Sequence, residues 1–361
     1  MKVAFIGQKG IPSRDGGVER YVECLSTFLA SSGQEIVVYN RNDYLPDKIT
    51  EFREVKIVNL PYLKGKNVAA ITHALASIFS AIRQKTDIIH FQGIGPSLLL
   101  WLPKILAPRI KLVATLHSFD YFNEKWSRPA KIMLQLGEKI MCRFSDEVIV
   151  LTESTRMYIK EKYGRDSVLI PNGTKIYENE ATDKIMPWGL VKDGYILSVS
   201  RIIRLKGLQY LIAAYLKVKT DKKLVIVGDG PYLSELEKLA QDDPRIIFTG
   251  NQQGGVLDQL YANAYLFVQS SEMEGLSIAL LEAMGHKTAC LVSDIGANKE
   301  AIGESGFTFR STDIPDLQNK LQDLLNKPES VSLKARESFD RAKKFFTWPE
   351  VARRVLDVYK K

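Results

Sequence analysis

The sequence predicts an α/β protein with two doubly wound domains, each built on a parallel sheet. Its 361 residues are more than one packed domain usually holds. Apolar runs rich in β-branched residues alternate with amphipathic helical stretches, which is typical of parallel strands covered on both faces. The alternation starts again after a polar, proline-containing stretch at residues 173–193. We therefore predict domains at 1–175 and 176–345, followed by a closing helix at 346–361.

The predicted strands are short, and most of their residues are apolar. In the first half they are KVAFIG, EIVVYNR, VKIVNLP, DIIHFQG, KLVATLHS, DEVIVLT and VLIPNG. In the second half they are YILSVS, KLVIVGDG, RIIFTG, YLFVQSS, TACLVSD and GFTFR. The final segment, WPEVARRVLDVYKK, has apolar residues at helical spacing and predicts a helix that could pack on either domain.

Composition indicates a soluble, folded, cytoplasmic protein. The chain is 45% hydrophobic and 25% charged, which excludes an intrinsically disordered protein. The N-terminus leads directly into a predicted strand, so we expect no secretory signal. The longest apolar runs fall short of the ~20 residues that cross a bilayer. Cys24, Cys142 and Cys290 lack metal-ligand spacing, so we expect reduced thiols that serve packing.

The positive charge is unevenly distributed. The net charge of +8 belongs to residues 1–175, because acidic and basic residues balance in the remainder. Basic residues recur among apolar ones between Lys125 and Phe144, a composition that suits the surface of an anionic membrane. A solvated basic face would explain the same pattern. The sequence lacks an interleaved aromatic and basic stripe, so we expect no nucleic-acid partner.

Loops that follow predicted strands are the expected ligand sites, since open α/β sheets bind ligands beyond the carboxyl ends of their strands. The first loop, GQKGIPSRDGG, places Gly16 and Gly17 before a helix, where backbone N–H groups can approach a phosphate. Its spacing is not GxGxxG, and the glycines could simply form a turn. The loop VGDGP supplies Gly228 and Gly230, either to lie against a base or ribose or to turn the chain.

The loop RIIRLKG places cations where a strand ends and a helix begins. Arg201, Arg204 and Lys206 in this position suit a diphosphate, although a solvated basic turn is the alternative.

The segment EGLSIALLEAMG contains two carboxylates in apolar surroundings. Gly275 makes Glu274 a loop residue, and we predict a helix that starts near Ser277. Glu282 then lies in the second turn, without a cation at helical spacing, so ribose hydroxyls are suitable partners. Asn298, after a later strand, could shape the same site or cap a helix.

Together these segments resemble a known family. SRIIRLKG, the E-x7-E pair in EGLSIALLEA, the Gly-Gly first loop and two Rossmann-like halves resemble the GT4-type retaining glycosyltransferases of the GT-B fold, whose two domains face a central cleft. IGQKGIPSRDGGVERYVECLSTFLASSG and TLHSFDYFNEKWSRPAKIMLQLGEKIMCRFSDEVIVLTE are similar to the branch that contains bacterial rhamnosyltransferases of polysaccharide assembly. The resemblance covers nearly the whole chain.

The resemblance implies roles for individual residues. Arg201 and Lys206 would hold the donor diphosphate, Glu282 the donor ribose, and Glu274 the sugar or phosphate region. His117 matches the family histidine near the transferred sugar, whereas on the residues alone a strand-end histidine is more often structural. The backbone of three residues would meet the diphosphate or sugar: Gly275, Leu276 and Ser277.

The first domain would take the acceptor, and two departures from the branch concern that side. Ser118 and Phe119 follow the histidine where the branch usually has Gly and Leu, and Gln8-Lys9-Gly10 replaces Thr-Arg-Gly. If the reaction inverted the anomeric centre, Asp15 or Asp120 would be the expected base.

The predicted activity is retaining transfer of a hexose or deoxyhexose from a nucleotide diphosphate sugar to a glycan or lipid-linked acceptor in cell-surface polysaccharide synthesis. No D-x-D sequence occurs, so we expect no metal and no cofactor besides the donor substrate. A GT-B epimerase, which would release a new nucleotide sugar without an acceptor, is the alternative enzyme. A non-catalytic nucleic-acid-binding protein is the less favoured alternative outside the enzymes. We expect a cytoplasmic location, either in solution or peripheral on the inner face of the plasma membrane.

Overall fold

A computed structural model describes residues 1–14, 16–65, 68–122, 126–178 and 181–361. Asp15 and Lys125 lie outside these described residues. The chain divides into two units. Unit 1 comprises Met1–Asn172 and Trp348–Lys361, and unit 2 comprises Gly173–Thr347.

Each unit is built on one sheet of short strands. In unit 1 the strands are β1 Lys2–Ile6, β2 Glu35–Arg41, β3 Glu51–Phe52, β4 Val55–Leu60, β5 Ile88–Gln92, β6 Lys111–Leu116, β7 Glu147–Val150 and β8 Val168–Leu169. In unit 2 they are β9 Tyr195–Val199, β10 Lys223–Val227, β11 Ile246–Phe248, β12 Leu266–Gln269, β13 Cys290–Ser293 and β14 Phe307–Phe309.

The strand order identifies both sheets as doubly wound. The first sheet has the order β3-β4-β2-β1-β5-β6-β7-β8, with only the β3–β4 pair antiparallel. The second has the order β11-β10-β9-β12-β13-β14 and is parallel throughout. The direction of winding reverses between β1 and β5 in unit 1 and between β9 and β12 in unit 2. We call these two places the switch points, where doubly wound folds bind their ligands.

Helices connect the strands in the described parts of both units. They are α1 Gly17–Ser31, α2 Ala69–Arg83, α3 Ile94–Ser97, α4 Trp101–Leu106, α5 Arg128–Phe144, α6 Glu153–Tyr163, α7 Leu208–Tyr215, α8 Leu233–Ala240, α9 Gly254–Ala262, α10 Ile278–Gly285, α11 Gly296–Ile302, α12 Ile314–Leu325, α13 Pro328–Phe345 and α14 Trp348–Lys360. Short 3-10 turns lie at Asp120–Phe122, Met186–Trp188 and Arg204–Lys206.

Burial of the central strands confirms the predicted fold class. Val3–Ile6 in β1 and Leu224–Val227 in β10 are buried at every position. Continuous burial of this kind requires cover on both faces of the sheet, which parallel sheets receive from their connecting helices. The two predicted α/β domains with parallel sheets are therefore present.

The last helix, α14, packs on unit 1. The ring of Trp348 meets that of Tyr21 in α1 at 5.8 Å between centroids. The Tyr359 hydroxyl lies 2.7 Å from Nδ1 of His90, whose Nε2 lies 2.7 Å from the Thr115 hydroxyl. Both nitrogens of His90 are therefore used within the core of unit 1, as a structural histidine requires.

Within the described residues, none of the helices combines the length and apolar character that would let it cross a bilayer. Cys142 and Cys290 are free thiols, and both are buried.

Candidate functional site

The switch point of unit 2 brings together two of the predicted site residues. Lys206 lies in the loop after β9, and Glu274 lies in the loop after β12. The Lys206 ammonium donates to Oε1 of Glu274 at 2.5 Å. The two side chains are 22% and 10% exposed, so the pair lies partly out of water at the sheet edge. A cation and an acid are thus fixed where this fold class binds its ligand.

Backbone contacts join these two loops behind the ion pair. The Glu272 N–H donates to the Leu205 carbonyl at 2.9 Å, and the Ser270 hydroxyl donates to the Lys206 carbonyl at 3.1 Å. Gly207 has φ +65°, and a Cβ atom there would lie 2.0 Å from the Ser270 carbonyl oxygen. The loops can approach this closely only because residue 207 is glycine.

The segment after Glu274 forms the predicted loop and helix. Glu274 is outside regular structure, and Ser277 caps α10 by accepting from the Leu280 N–H at 3.3 Å. The start near Ser277 is therefore confirmed. The first turn of α10 directs backbone N–H groups toward the same edge as Glu274. Gly275 is half-buried and Leu276 is buried in the intervening loop.

Glu282 is half-buried in the second turn of α10. Its carbonyl oxygen lies 2.7 Å from Nδ1 of His286, and Nε2 of His286 lies 3.1 Å from Oδ1 of Asp258. Lys175 donates to the other oxygen of Asp258 at 3.1 Å. These hydrogen bonds connect the part of α10 that bears Glu282 to α9 and to the chain segment at the start of unit 2.

The other donor-side residues predicted in unit 2 lie on neighbouring loops of that unit. Arg201 is exposed, and its guanidinium forms no hydrogen bond or ion pair within the described residues. Gly228 and Gly230 contact backbone: added Cβ atoms would lie 1.9 Å from the Ser200 carbonyl oxygen and 2.1 Å from that of Ile202. These glycines therefore allow the loop after β10 to pack on the loop that bears Arg201.

In unit 1, side chains of α1 hold the first loop. The Lys9 N–H donates to Glu19 at 2.9 Å, and the Ser13 N–H donates to Glu23 at 2.6 Å. Both glutamates are 7% exposed. Glu19 and Glu23 were not predicted from the sequence, although two acids four residues apart, in a helix that follows a glycine-rich loop, could have indicated them. Gly16 has φ +94° and precedes α1, and Gly17 begins it.

His117 follows β6 in unit 1. Its Nε2 donates to Oε1 of Gln92 at the end of β5, at 2.8 Å. Its ring meets Tyr21 edge-on at 4.8 Å between centroids. Burial lowers the pKa of His117 to about 3, so the imidazole is neutral near pH 7. With the proton on Nε2, Nδ1 is the acceptor nitrogen of the ring.

Asp120 is an exposed residue of unit 1 close to His117 in the chain. Its Oδ1 accepts from the Ser118 hydroxyl at 2.9 Å. Asp15, the other predicted acceptor-side acid, lies outside the described residues. The described residues contain no group of three or more His, Cys, Asp or Glu placed to hold a metal ion.

Comparison with known proteins identifies the family. The model for "Glycosyltransferase Family 4" matches residues 15–176, and the model for "Glycosyl transferases group 1" matches residues 193–327. Together the two matches span most of the chain. The chain belongs to the GT4-type glycosyltransferases of the GT-B fold. The Lys206–Glu274 contact of this glycosyltransferase lies within the second match.

Individual relatives of this glycosyltransferase differ in what they transfer. A sulfoquinovosyl transferase from Arabidopsis thaliana is 32% identical over 155 residues, which are 42% of this chain but only 30% of that protein. N-acetyl-α-D-glucosaminyl L-malate synthase from Bacillus anthracis is 27% identical over 285 residues, 73% of each chain. The Anabaena protein HepE, solved in complex with UDP-glucose, shares the fold with a TM-score of 0.82 at 18% identity, covering 100% of this chain and 99% of its own.

We predict that His117 makes the stability of the glycosyltransferase depend on pH. Its pKa is about 3 in the folded chain and 6.5 in the unfolded chain, so the unfolded state binds the extra proton between these values. The free energy of unfolding therefore falls as pH falls below 6.5. From pH 7 to pH 5 we expect His117 to account for about 2 kcal/mol of that loss.

Urea unfolding of the wild type and of His117→Gln at both pH values measures this contribution. The variant should lose about 2 kcal/mol less than the wild type between pH 7 and pH 5. An identical pH dependence in the two proteins would show that His117 becomes protonated in the folded state.

Proposed function

We propose that this protein is a retaining, metal-independent glycosyltransferase. It moves a hexose or deoxyhexose from a nucleotide diphosphate sugar to a glycan or lipid-linked saccharide, in the synthesis of cell-surface polysaccharide. The observation that supports this most is the Lys206–Glu274 contact at the switch point of unit 2, in a chain of this family. The rhamnosyltransferase branch, indicated by the first-half segments, belongs to the same proposal.

On the donor side, unit 2 supplies the charges that the reaction needs. Transfer builds positive charge at the anomeric carbon and negative charge on the departing diphosphate. Arg201 and Lys206 are two of the three cations of the loop after β9, and fixed cations stabilise that leaving group. The N–H groups at the start of α10, from Gly275 to Ser277, act in the same direction. Glu282 binds the ribose hydroxyls, and Gly228 and Gly230 shape the neighbouring wall.

Glu274 accepts hydrogen bonds from the sugar hydroxyls. A carboxylate that remains within reach of Lys206 can bind a polar sugar while the ammonium turns to the diphosphate. The acceptor hydroxyl attacks on the face from which the diphosphate leaves. A phosphate oxygen takes the proton of that hydroxyl as the new glycosidic bond forms, so the configuration is retained without a separate base.

On the acceptor side, unit 1 binds the saccharide. A neutral His117 has its Nδ1 free of a proton and can accept from a sugar hydroxyl, which fits a positioning role for the transferred sugar. Gly16 and Gly17 lie at the start of α1, where backbone N–H groups suit a phosphate of the donor. Asp15 or Asp120 is the base that an inverting reaction would require instead.

The stereochemistry of the product tests this proposal. We expect transfer from one of a set of UDP-, GDP- and dTDP-sugars to a lipid-linked saccharide, with the anomeric configuration of the donor retained by NMR and full activity in EDTA. Inversion would contradict the retaining mechanism and point to Asp15 or Asp120 as the base. Loss of activity in EDTA that Mg²⁺ restores would contradict metal independence. Donor turnover without an acceptor would indicate an epimerase.

We predict different kinetic effects for the two acids of the E-x7-E pair. Glu282→Ala removes a partner of the donor ribose, so it should raise the donor KM at least tenfold with kcat changed little. Glu274→Ala removes contacts to the reacting sugar and should lower kcat by about a hundredfold.

Steady-state kinetics with the identified donor measures both effects. Glu304→Ala, which removes an exposed acid of unit 2 outside this edge, is the matched control and should be unchanged. The opposite assignment of the KM and kcat effects would overturn the division of roles between Glu274 and Glu282.

Membrane association belongs to the same proposal, since it would bring the enzyme to a lipid-linked acceptor. The exposed face of α5 carries Ile132, which is 65% exposed, beside Met133 and Leu136, each 44% exposed. Exposed Arg128, Lys139 and Arg143 lie along the same helix. Helix α4, which contacts α5, adds Ile105 with 69% of its surface exposed. Apolar side chains surrounded by cations suit an anionic bilayer surface.

We predict that the protein floats with vesicles that contain anionic lipid. Reversing the charge of two residues, in Lys139→Glu with Arg143→Glu, should weaken this binding by at least about tenfold, because each cation near the surface is worth about 1 kcal/mol. Lys238→Glu, on an exposed helix of unit 2, is the control and should bind as the wild type does. Equal binding to neutral vesicles would contradict the electrostatic part of the proposal.

A further inference from the structure

A network of buried polar side chains leads to Glu274. It runs from the end of β12 through α11 and the end of β13 to the loop that bears the carboxylate. Its members are 5% exposed or less: Gln269, Ser271, Ser293 and Asn298. Burial of so many polar groups in one place is unfavourable unless each is hydrogen-bonded, and a satisfied network of this kind fixes its members in one arrangement.

Each pair of neighbouring members in the network is joined by a hydrogen bond. Gln269 donates from Nε2 to Oδ1 of Asn298 at 2.7 Å. Asn298 donates from Nδ2 to the carbonyl oxygen and hydroxyl of Ser293, at 3.2 and 3.0 Å. The Ser293 hydroxyl donates to the Ser271 carbonyl at 2.6 Å.

The last step reaches the candidate site. The Ser271 hydroxyl donates to Oε1 of Glu274 at 2.7 Å, the same oxygen that accepts from Lys206. Glu274 lies in a loop without regular structure, so the backbone alone leaves its carboxylate several rotamers. A hydroxyl from a buried residue restricts the carboxylate to the rotamer in which it meets Lys206.

Asn298 has no capping role in this arrangement. It is the third residue of α11, the preceding Ile295 is the cap residue, and no side chain caps this helix. Both ends of its amide are instead used to connect β12 to β13. Asn298 thereby holds Ser293, and Ser293 holds the peptide group of Ser271 in place.

We propose that Ser271 is a positioning residue for Glu274 and Lys206, and that Asn298, acting through Ser293, fixes the peptide of Ser271. The kinetic part of this inference rests on the proposed function. The network places the carboxylate and the ammonium before the donor binds, so that neither group needs to be ordered during the reaction.

Steady-state kinetics is the first test. Ser271→Ala should lower kcat about tenfold and leave the donor KM within twofold, because a hydrogen bond to a charged group is lost while the donor-binding groups remain. Ser271→Thr, which keeps the hydroxyl, should recover most of kcat. Asn298→Ala should also lower kcat about tenfold. If the Ser271 variants do not fold, this variant tests the proposal in their place, and an unchanged kcat would contradict it.

A matched control separates positioning from stability. Ser305 is a buried serine of unit 2 whose hydroxyl donates to the Ile302 carbonyl at 2.6 Å, away from the site. Ser305→Ala removes one buried hydrogen bond and should lower the urea midpoint about as much as Ser271→Ala does, with kcat unchanged. Equal kcat values for these two alanine variants would overturn the proposal.

A second readout does not depend on transferase activity. Acetylation of surface amines by acetic anhydride, followed by mass spectrometry, reports how firmly Glu274 holds Lys206. Relative to the exposed Lys238, labelling of Lys206 should rise about threefold in Ser271→Ala and remain at the wild-type level in Ser305→Ala. Unchanged labelling in Ser271→Ala would refute the positioning role even if the proposed transferase activity proved wrong.

Discussion

The contact between Lys206 and Glu274 joins the two loops that leave the switch point of unit 2. A partly buried ion pair gains attraction from its surroundings but loses hydration, so it contributes little unless further hydrogen bonds stabilise both members. Here the carboxylate oxygen also accepts from Ser271, and the Ser270 hydroxyl donates to the Lys206 carbonyl and so holds the backbone of the loop that bears the ammonium. The parallel sheet makes this possible, because the carboxyl ends of β9 and β12 lie side by side. The parallel strands, the contact between their two loops and the ion pair therefore all lie at the same edge of the sheet.

The sequence predicted the main strands because buried parallel strands leave a local signal. All the predicted runs correspond to strands, whereas β3, Glu51–Phe52, was not foreseen. Two residues cannot show a period, and this strand exists only through its antiparallel pairing with β4. The packing partner of α14 was equally beyond the sequence. Its amphipathic pattern predicts a buried face, but the contacts of Trp348 and Tyr359 with unit 1 depend on tertiary structure.

The candidate site was predictable where a residue's role follows from its neighbours in the chain. Gly275 placed Glu274 in a loop, and Ser277 marked the start of α10, both from adjacent residues. Asn298 could not be assigned in this way, because its partners, Gln269 and Ser293, lie on two different strands. Gly228 and Gly230 show the converse. Their pattern suits ligand contact, but the close approach of Ser200 and Ile202 already requires glycine at both positions.

Side-chain contacts limit where an anion can bind to the first loop of unit 1. Side chains already use its early N–H groups: Lys9 donates to Glu19, Ile11 to Asn40, Ser13 to Glu23 and Arg14 to the Tyr44 hydroxyl. The carboxylates of Glu19 and Glu23 also add negative charge beneath this part of the loop. A phosphate is therefore disfavoured at these N–H groups. A Cβ atom at residue 16 would lie 2.3 Å from Oε2 of Glu19, so glycine at this position lets the Glu19 carboxylate lie against the start of α1. The Glu19 carboxylate therefore faces both the early loop and the first turn of α1, where a negative charge is favourable to the helix.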